Sequence, residues 1–174
     1  MNYLADLLSY SSLFCGFLCV VLSLEGHFVL ACWLILLAVI FDGLDGQVAR
    51  LNQVPSEFGK ELDSLIDVVS FGMAPAILAY IFIYRDFYVL SVLSLFVYLL
   101  ACVIRLARYN ITPKHGPANC FSGLPTTAGG GMLAAFVLMS IRRGHANLPQ
   151  YSPLLFLVMV LILSCLMVSR IRYL

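Results

Sequence analysis

The chain has 174 residues and is 62% hydrophobic but only 11% charged, with mean hydropathy +0.99. Soluble domains carry about a quarter charged residues, so this composition describes an integral membrane protein. A formal net charge of +1 without a basic tail argues against nucleic-acid binding, and the length suits one domain over residues 1–174.

The apolar runs predict an all-α, polytopic membrane protein with six transmembrane helices. Residues 7–24 are uncharged and long enough for a first span. No basic n-region or cleavage site marks them as a removable leader, so this span is expected to stay. Within it, Ser9 and Ser12 read most simply as serines bonded to their own helix backbone. Glu25-Gly26-His27 is a short turn. Residues 28–41 are too few to cross a bilayer alone, so the second helix has to run on to residue 50. A turn over 51–55 follows, and Ser56, after a proline, is a plausible N-cap for a third helix ending near residue 84. The fourth span covers 87–104, with Arg105 and Arg108 at i and i+3 just beyond it. The fifth covers 121–141 and the sixth 151–169. Gly129, Gly130 and Gly131 inside the fifth allow close helix packing or a bend. No internal repeat is visible, which argues against an inverted-repeat transporter. The six cysteines lie scattered without a CxxC pair and read as small buried hydrophobes.

The stretch from Asp42 to Asp67 breaks this pattern. It holds six of the nine acidic residues: Asp42, Asp45, Glu57, Glu61, Asp63 and Asp67. Intramembrane carboxylates cost several kcal/mol and normally face a bundle interior with a partner. On one helix, Asp42, Asp45 and Ala49 share a face, and Gly46 beside them leaves room for a ligand. On the next, Gly59, Asp63 and Asp67 recur every four residues. Two facing helices would bring four carboxylates together, and these cannot all stay ionised without cations among them. Oxygen ligands with little His or Cys nearby favour hard ions such as Mg²⁺ or Mn²⁺. A buried acid cluster stabilised by Arg50 and Lys60, or an ion pathway, is the other reading of the same spacing.

The pattern Asp42-x2-Asp45-Gly46-x2-Ala49-Arg50-x8-Gly59-x3-Asp63-x3-Asp67 resembles the signature of the CDP-alcohol phosphatidyltransferases at all eight fixed positions. Three flanking segments resemble the phosphatidylserine synthase branch: the run from Asp63 through Ser70-Phe71-Gly72 to Pro75, then Arg105-Leu-Ala-Arg108-Tyr-Asn110, then Phe121-Ser-Gly-Leu-Pro125. The resemblance implies transfer of a phosphatidyl group from CDP-diacylglycerol to the hydroxyl of L-serine, with release of CMP. It implies two divalent ions, Mg²⁺ or Mn²⁺, with Asp42 and Asp63 bridging, Asp45 completing one ion and Asp67 the other. Asp67 is the implied general base. Gly46, Ala49, Arg50, Ser56 and Gly59 are the implied contacts to CDP-diacylglycerol. Arg105, Arg108 and Asn110 are the candidates for the serine acceptor, the arginines because a guanidinium fork suits a carboxylate. The same arginines would equally snorkel to anionic headgroups. Inositol phosphate or glycerol phosphate would be alternative acceptors, and an ion or solute transporter is the reading from a different class. A homodimer is expected on the resemblance alone.

Six spans put both termini on one side. Arg50, Lys60, Arg105, Arg108, Lys114, Arg170 and Arg172 fall on that side, against Arg85, Arg142 and Arg143 on the other. The positive-inside rule then places the termini and the carboxylates on the cytoplasmic face of the cell membrane.

Overall fold

The computed structural model describes residues 3–51, 57–83, 88–111, 121–142, 152–169 and 172–173. Ser56 and Lys114 lie outside the described residues, and the side chains of Ala49, Arg50 and Lys60 do too. The described residues form seven α-helices, one π-helical turn and two short strands: α1 (Tyr3–Leu24), α2 (Phe28–Leu51), α3 (Glu57–Asp67), the π turn (Val68–Met73), α4 (Ala74–Ile83), α5 (Tyr88–Ile111), β1 (Phe121–Ser122), α6 (Thr126–Arg142), α7 (Ser152–Val168) and β2 (Arg172–Tyr173). Because α3, the π turn and α4 are continuous, these elements stand as six helical columns. Among the described residues four segments are long and apolar enough to cross a bilayer: Leu7–Leu24, Phe28–Gln47, Glu61–Phe82 and Val89–Ile111. The shorter apolar helices Thr126–Arg142 and Leu154–Val168 complete the bundle. Leu7, Phe14, Phe17, Trp33, Leu93 and Phe96 point outward, as side chains facing lipid do. The chain is a multi-pass membrane protein.

The hairpin of α1 and α2 closes through a Schellman turn. The His27 N–H donates to the Leu22 carbonyl at 2.8 Å, and that of Gly26 to Ser23 at 3.2 Å. Gly26 takes the left-handed φ of 83° that this turn requires. Cys19, Ala31, Cys32 and Ile35 interlock across the hairpin and pack onto Ala74, Leu78 and Val137. A second core joins α4 to α7 around Tyr98, Leu133, Phe156 and Val160. Among the described residues five cysteines are free thiols; Cys15, Cys19, Cys32 and Cys102 are buried and fill space as expected, while Cys165 is exposed.

The third column changes register beside the acidic cluster, and Pro75 supplies a cause. Proline has no N–H, so in a regular α-helix the carbonyl four residues earlier, that of Phe71, would lack its donor and meet the proline ring. The helix widens there into the π turn, in which Ala74 N–H reaches the Val69 carbonyl. The Phe71 carbonyl is taken by the hydroxyl of fully buried Tyr98, at 2.7 Å. Two glycines let neighbouring helices close on this turn. A Cβ on Gly16 would stand 2.8 Å from Ser70 Cα, and one on Gly130 would stand 2.9 Å from the Phe71 oxygen. The glycine run of α6 therefore provides close packing rather than a bend.

The fifth span starts later than its apolar run suggested. Phe121 and Ser122 pair antiparallel with Tyr173 and Arg172. Gly123 then turns with φ 83°, so close to α7 that a Cβ would meet the Met167 oxygen at 2.7 Å. Helix α6 begins only at Thr126. The fourth span runs past residue 104 to Ile111, so Arg105, Arg108 and Asn110 lie inside α5. Ser9 meets Asp45, Arg108 meets Val168, and β1 meets β2. The N-terminal part of α1 and the chain's last strand thus lie at the same end of the bundle as the acidic residues.

Candidate active site

Helices α2 and α3 deliver the carboxylates as their spacing demands. Asp42 and Asp45 stand one turn apart on α2, Asp63 and Asp67 one turn apart on α3. Carboxylate oxygens of Asp42, Asp63 and Asp67 all lie within 4.8 Å of one another. Asp42 and Asp63 are half-buried, while Asp67 is 8% exposed. Ligand oxygens about 2.1 Å from an octahedral Mg²⁺ sit about 3 Å apart when adjacent and about 4.2 Å apart when opposite. The trio is thus close to the spacing a hard divalent ion imposes, and its all-oxygen donor set suits Mg²⁺ or Mn²⁺. A buried oxygen, Asp67 Oδ1, has no hydrogen-bond partner among the described residues. An unsatisfied buried carboxylate oxygen is costly unless a ligand, a cation or a substrate hydroxyl, completes it, and the convergence of the trio fits a metal centre.

Asp45 stands apart from the trio. It is buried, and its Oδ2 accepts a 2.8 Å hydrogen bond from the Ser9 hydroxyl on α1. Ser9 is therefore tied to the acidic cluster. Ser12 departs from the expected backbone bond: its buried Oγ has no partner among the described residues, while its carbonyl accepts from the Ser70 hydroxyl at 3.2 Å. The sequence signal for Ser9 was its place seven residues before Gly16, on the α1 face that meets the π turn. Gly46 is exposed with open space where a Cβ would project, and Gly59 is half-buried on α3.

Asp67 is held from α6. Its Oδ2 accepts a 3.2 Å hydrogen bond from the Thr126 hydroxyl, and the Arg105 guanidinium donates through Nη1 to that same hydroxyl at 3.3 Å. Pro125 accepts the first helical bond, from the Gly129 N–H at 3.1 Å, so Pro125 fills the N-cap position and Thr126 the first helical one. Thr126 is thereby released from capping and reaches across to α3, and the positive end of the α6 dipole sits beside Asp67. Thr126 was missed in the sequence because the Phe121-Ser-Gly-Leu-Pro125 segment was read only as far as its proline.

The other two α5 candidates face elsewhere. Arg108 donates to the Val168 carbonyl at the end of α7, at 2.9 Å. Asn110 donates to Glu61 Oε2 at 3.1 Å and to the Ser64 hydroxyl at 3.0 Å. Ser64 and Glu61 lie on a different face of α3 from Asp63 and Asp67, so Asn110 links α5 to the flank of the acidic helix.

Comparison with known proteins follows this geometry. A profile described as CDP-alcohol phosphatidyltransferase matches residues 2–168. The chain belongs to this family, and it is accordingly an enzyme, a membrane-embedded transferase of phospholipid synthesis. It is 37% identical over 168 residues to the CDP-diacylglycerol–serine O-phosphatidyltransferase of Helicobacter pylori, covering 97% of this chain and 70% of that protein. It is 38% identical over 172 residues to the archaetidylserine synthase of Methanothermobacter thermautotrophicus, covering 98% and 69%. With the CDP-diacylglycerol–serine O-phosphatidyltransferase of Bacillus subtilis it shares 31% identity over 173 residues, covering 99% and 90%.

Proposed function

We propose that the protein transfers the phosphatidyl group of CDP-diacylglycerol to the hydroxyl of L-serine, giving phosphatidylserine and CMP. The observation that carries this reading is the state of Asp67: one oxygen is held by Thr126, the other is buried with no hydrogen-bond partner among the described residues, and its carboxylate converges with those of Asp42 and Asp63. The relatives support the acceptor, because serine is common to names that differ in their lipid.

In this reading Asp42, Asp45, Asp63 and Asp67 would hold two divalent ions, Mg²⁺ or Mn²⁺, whose charge would offset that of the diphosphate and of the CMP leaving group. Gly46, Ala49, Arg50, Ser56 and Gly59 line the approach of the CDP diphosphate, Gly46 by offering open backbone. The serine oxygen bonds to the phosphorus that carries diacylglycerol as the bond from that phosphorus to the CMP oxygen breaks. The serine hydroxyl proton passes to Asp67, and CMP leaves as a phosphate monoester. Arg105 is the favoured anchor for the serine carboxylate, because its buried Nε–H has no acceptor among the described residues. Arg108 and Asn110 join it only by exchanging partners with Val168, Glu61 and Ser64. The acyl chains stay in the bilayer, both termini and the site face the cytoplasm of a cell membrane, and two chains form a homodimer.

Purified protein with CDP-diacylglycerol, Mg²⁺ or Mn²⁺, and each candidate acceptor tests the reading by CMP release. Release is expected with L-serine. Release with glycerol phosphate or inositol phosphate and none with serine would transfer the chemistry to another acceptor. Solute flux without CMP release would overturn the enzymatic reading. A monomeric mass in mild detergent at full activity would remove the homodimer, and labelling of cysteines placed at 114 and 145 from the same side would remove the topology.

A further inference from the structure

We infer that Thr126 is a positioning residue that holds the base Asp67 and the carboxylate anchor Arg105 in one register, and so sets which acceptors fit. This rests on the serine-transfer reading above. The direction of the hydrogen bonds follows from the donor inventory. A guanidinium only donates, so the Thr126 hydroxyl accepts from Arg105 and has its single proton left for Asp67 Oδ2. Thr126 is 1% exposed, so water does not compete for that hydroxyl. Its β-branched side chain is stiff at χ1, and Pro125 before it fixes where the helix begins.

Two polar atoms are then left over, one at each end of this chain of bonds. Among the described residues, Asp67 Oδ1 is a buried acceptor with no donor, and Arg105 Nε is a buried donor with no acceptor. Together they match an acceptor molecule carrying a hydroxyl at one end and a carboxylate at the other, a few bonds apart. Thr126 touches neither leftover atom. It fixes their separation by tying Asp67 Oδ2 and Arg105 Nη1 to a single oxygen. A small hydroxy acid is the substrate class this pair of atoms fits, and a phosphorylated polyol, which lacks the carboxylate, is not.

The test compares wild type, Thr126→Val and Thr126→Ser in detergent with CDP-diacylglycerol, and separately the thermal shift that Mn²⁺ alone produces. Valine keeps the shape and removes the hydroxyl. The expected result is a kcat/KM for serine lowered about tenfold to a hundredfold in Thr126→Val, the scale of one charge-assisted hydrogen bond. KM for CDP-diacylglycerol and the Mn²⁺-induced shift should stay near wild type. Thr126→Ser should recover most of the loss, and Thr126→Val should discriminate less between serine and homoserine, one methylene longer. Unchanged kcat/KM in Thr126→Val, equal impairment of both variants, or loss of the Mn²⁺ shift would each overturn the inference while leaving serine transfer intact. Absence of serine-dependent CMP release from the wild type would overturn the transfer reading, and this inference with it.

Discussion

The hydroxyl of Tyr98 on α5 donates to the main-chain carbonyl of Phe71 at 2.7 Å, four residues beyond Asp67 and four before Pro75. It supplies the donor that Pro75 withholds, and it does so in a fully buried place. Tyr98→Phe leaves that carbonyl without this bond at almost unchanged volume. The expected cost is about 1–3 kcal/mol, the penalty for stranding a buried acceptor. Thermal unfolding in detergent should show a lower Tm, and a Tm equal to wild type would show that the π turn supports itself.

The glycines separate packing from chemistry. A Cβ at position 130 would meet the Phe71 oxygen and Cα at 2.9 and 3.0 Å, both backbone atoms of another helix. Gly130→Ala should therefore force α6 away from the π turn, costing about 1–3 kcal/mol as overpacked sites do. A Cβ at position 43 meets nothing within 4 Å. Gly43→Ala should be neutral or slightly stabilising, since alanine is the better helix former. Parallel melting curves of the two variants check this, and equal behaviour would contradict it.

Much of this arrangement was legible before any coordinates. The six spans follow from runs of uncharged residues, because a bilayer admits few alternatives to apolar helices. The pairing of Asp42 with Asp45 and of Asp63 with Asp67 follows from helical periodicity, which is local. What periodicity does not encode is which side chain of a third helix reaches the cluster. Thr126 and Ser9 are ordinary hydroxyls in apolar text, and only tertiary packing brings them to Asp67 and Asp45. The π turn had a signal in Pro75, but the apolar run around it read as an uninterrupted helix. The short β1–β2 pairing had none, since two residues of backbone bonding leave no pattern of side chains.

Gly46 offers a cleaner probe of lipid-nucleotide binding than the charged residues do. It is exposed, and a Cβ there has open space on all sides. Gly46→Ala should leave Tm unchanged or slightly higher. If the CDP diphosphate approaches this backbone, the methyl group should raise KM for CDP-diacylglycerol severalfold with little change for serine. Steady-state CMP release with each substrate varied in turn measures both constants, and an unchanged pair would remove Gly46 from the binding surface.

Asp42 belongs to the trio of converging carboxylates, and among the described residues no cysteine or histidine joins that trio. Asp42→Asn removes one anionic ligand and should abolish CMP release at ordinary Mn²⁺ concentrations. It should also reduce the stabilisation that Mn²⁺ gives to the folded protein, which grows with ligand concentration over Kd. Excess chelator should silence the wild type reversibly. Full turnover in chelator would remove the metal centre from the mechanism.

Arg105 gives the sharpest division between substrates. Its Nη1 is engaged with Thr126, its Nε is buried without an acceptor among the described residues, and it lies within α5 one hydroxyl away from Asp67. Lysine preserves the positive charge but has a single nitrogen, so it cannot both back Thr126 and meet a carboxylate with the geometry of a guanidinium. Arg105→Lys should therefore raise KM for serine by about ten- to a hundredfold, the equivalent of one charge-assisted hydrogen bond, and lower kcat as Thr126 loses its support. KM for CDP-diacylglycerol should move little, because the hydrogen bond of the Arg105 guanidinium goes to Thr126 on α6. If the arginine only reached toward lipid headgroups, lysine would serve nearly as well and neither constant would shift. If both KM values rose together, Arg105 would be holding the nucleotide lipid or the fold. Arg108→Lys is the matched comparison: Arg108 donates to the Val168 carbonyl, so its replacement should lower Tm while leaving the ratio of the two KM values near that of the wild type.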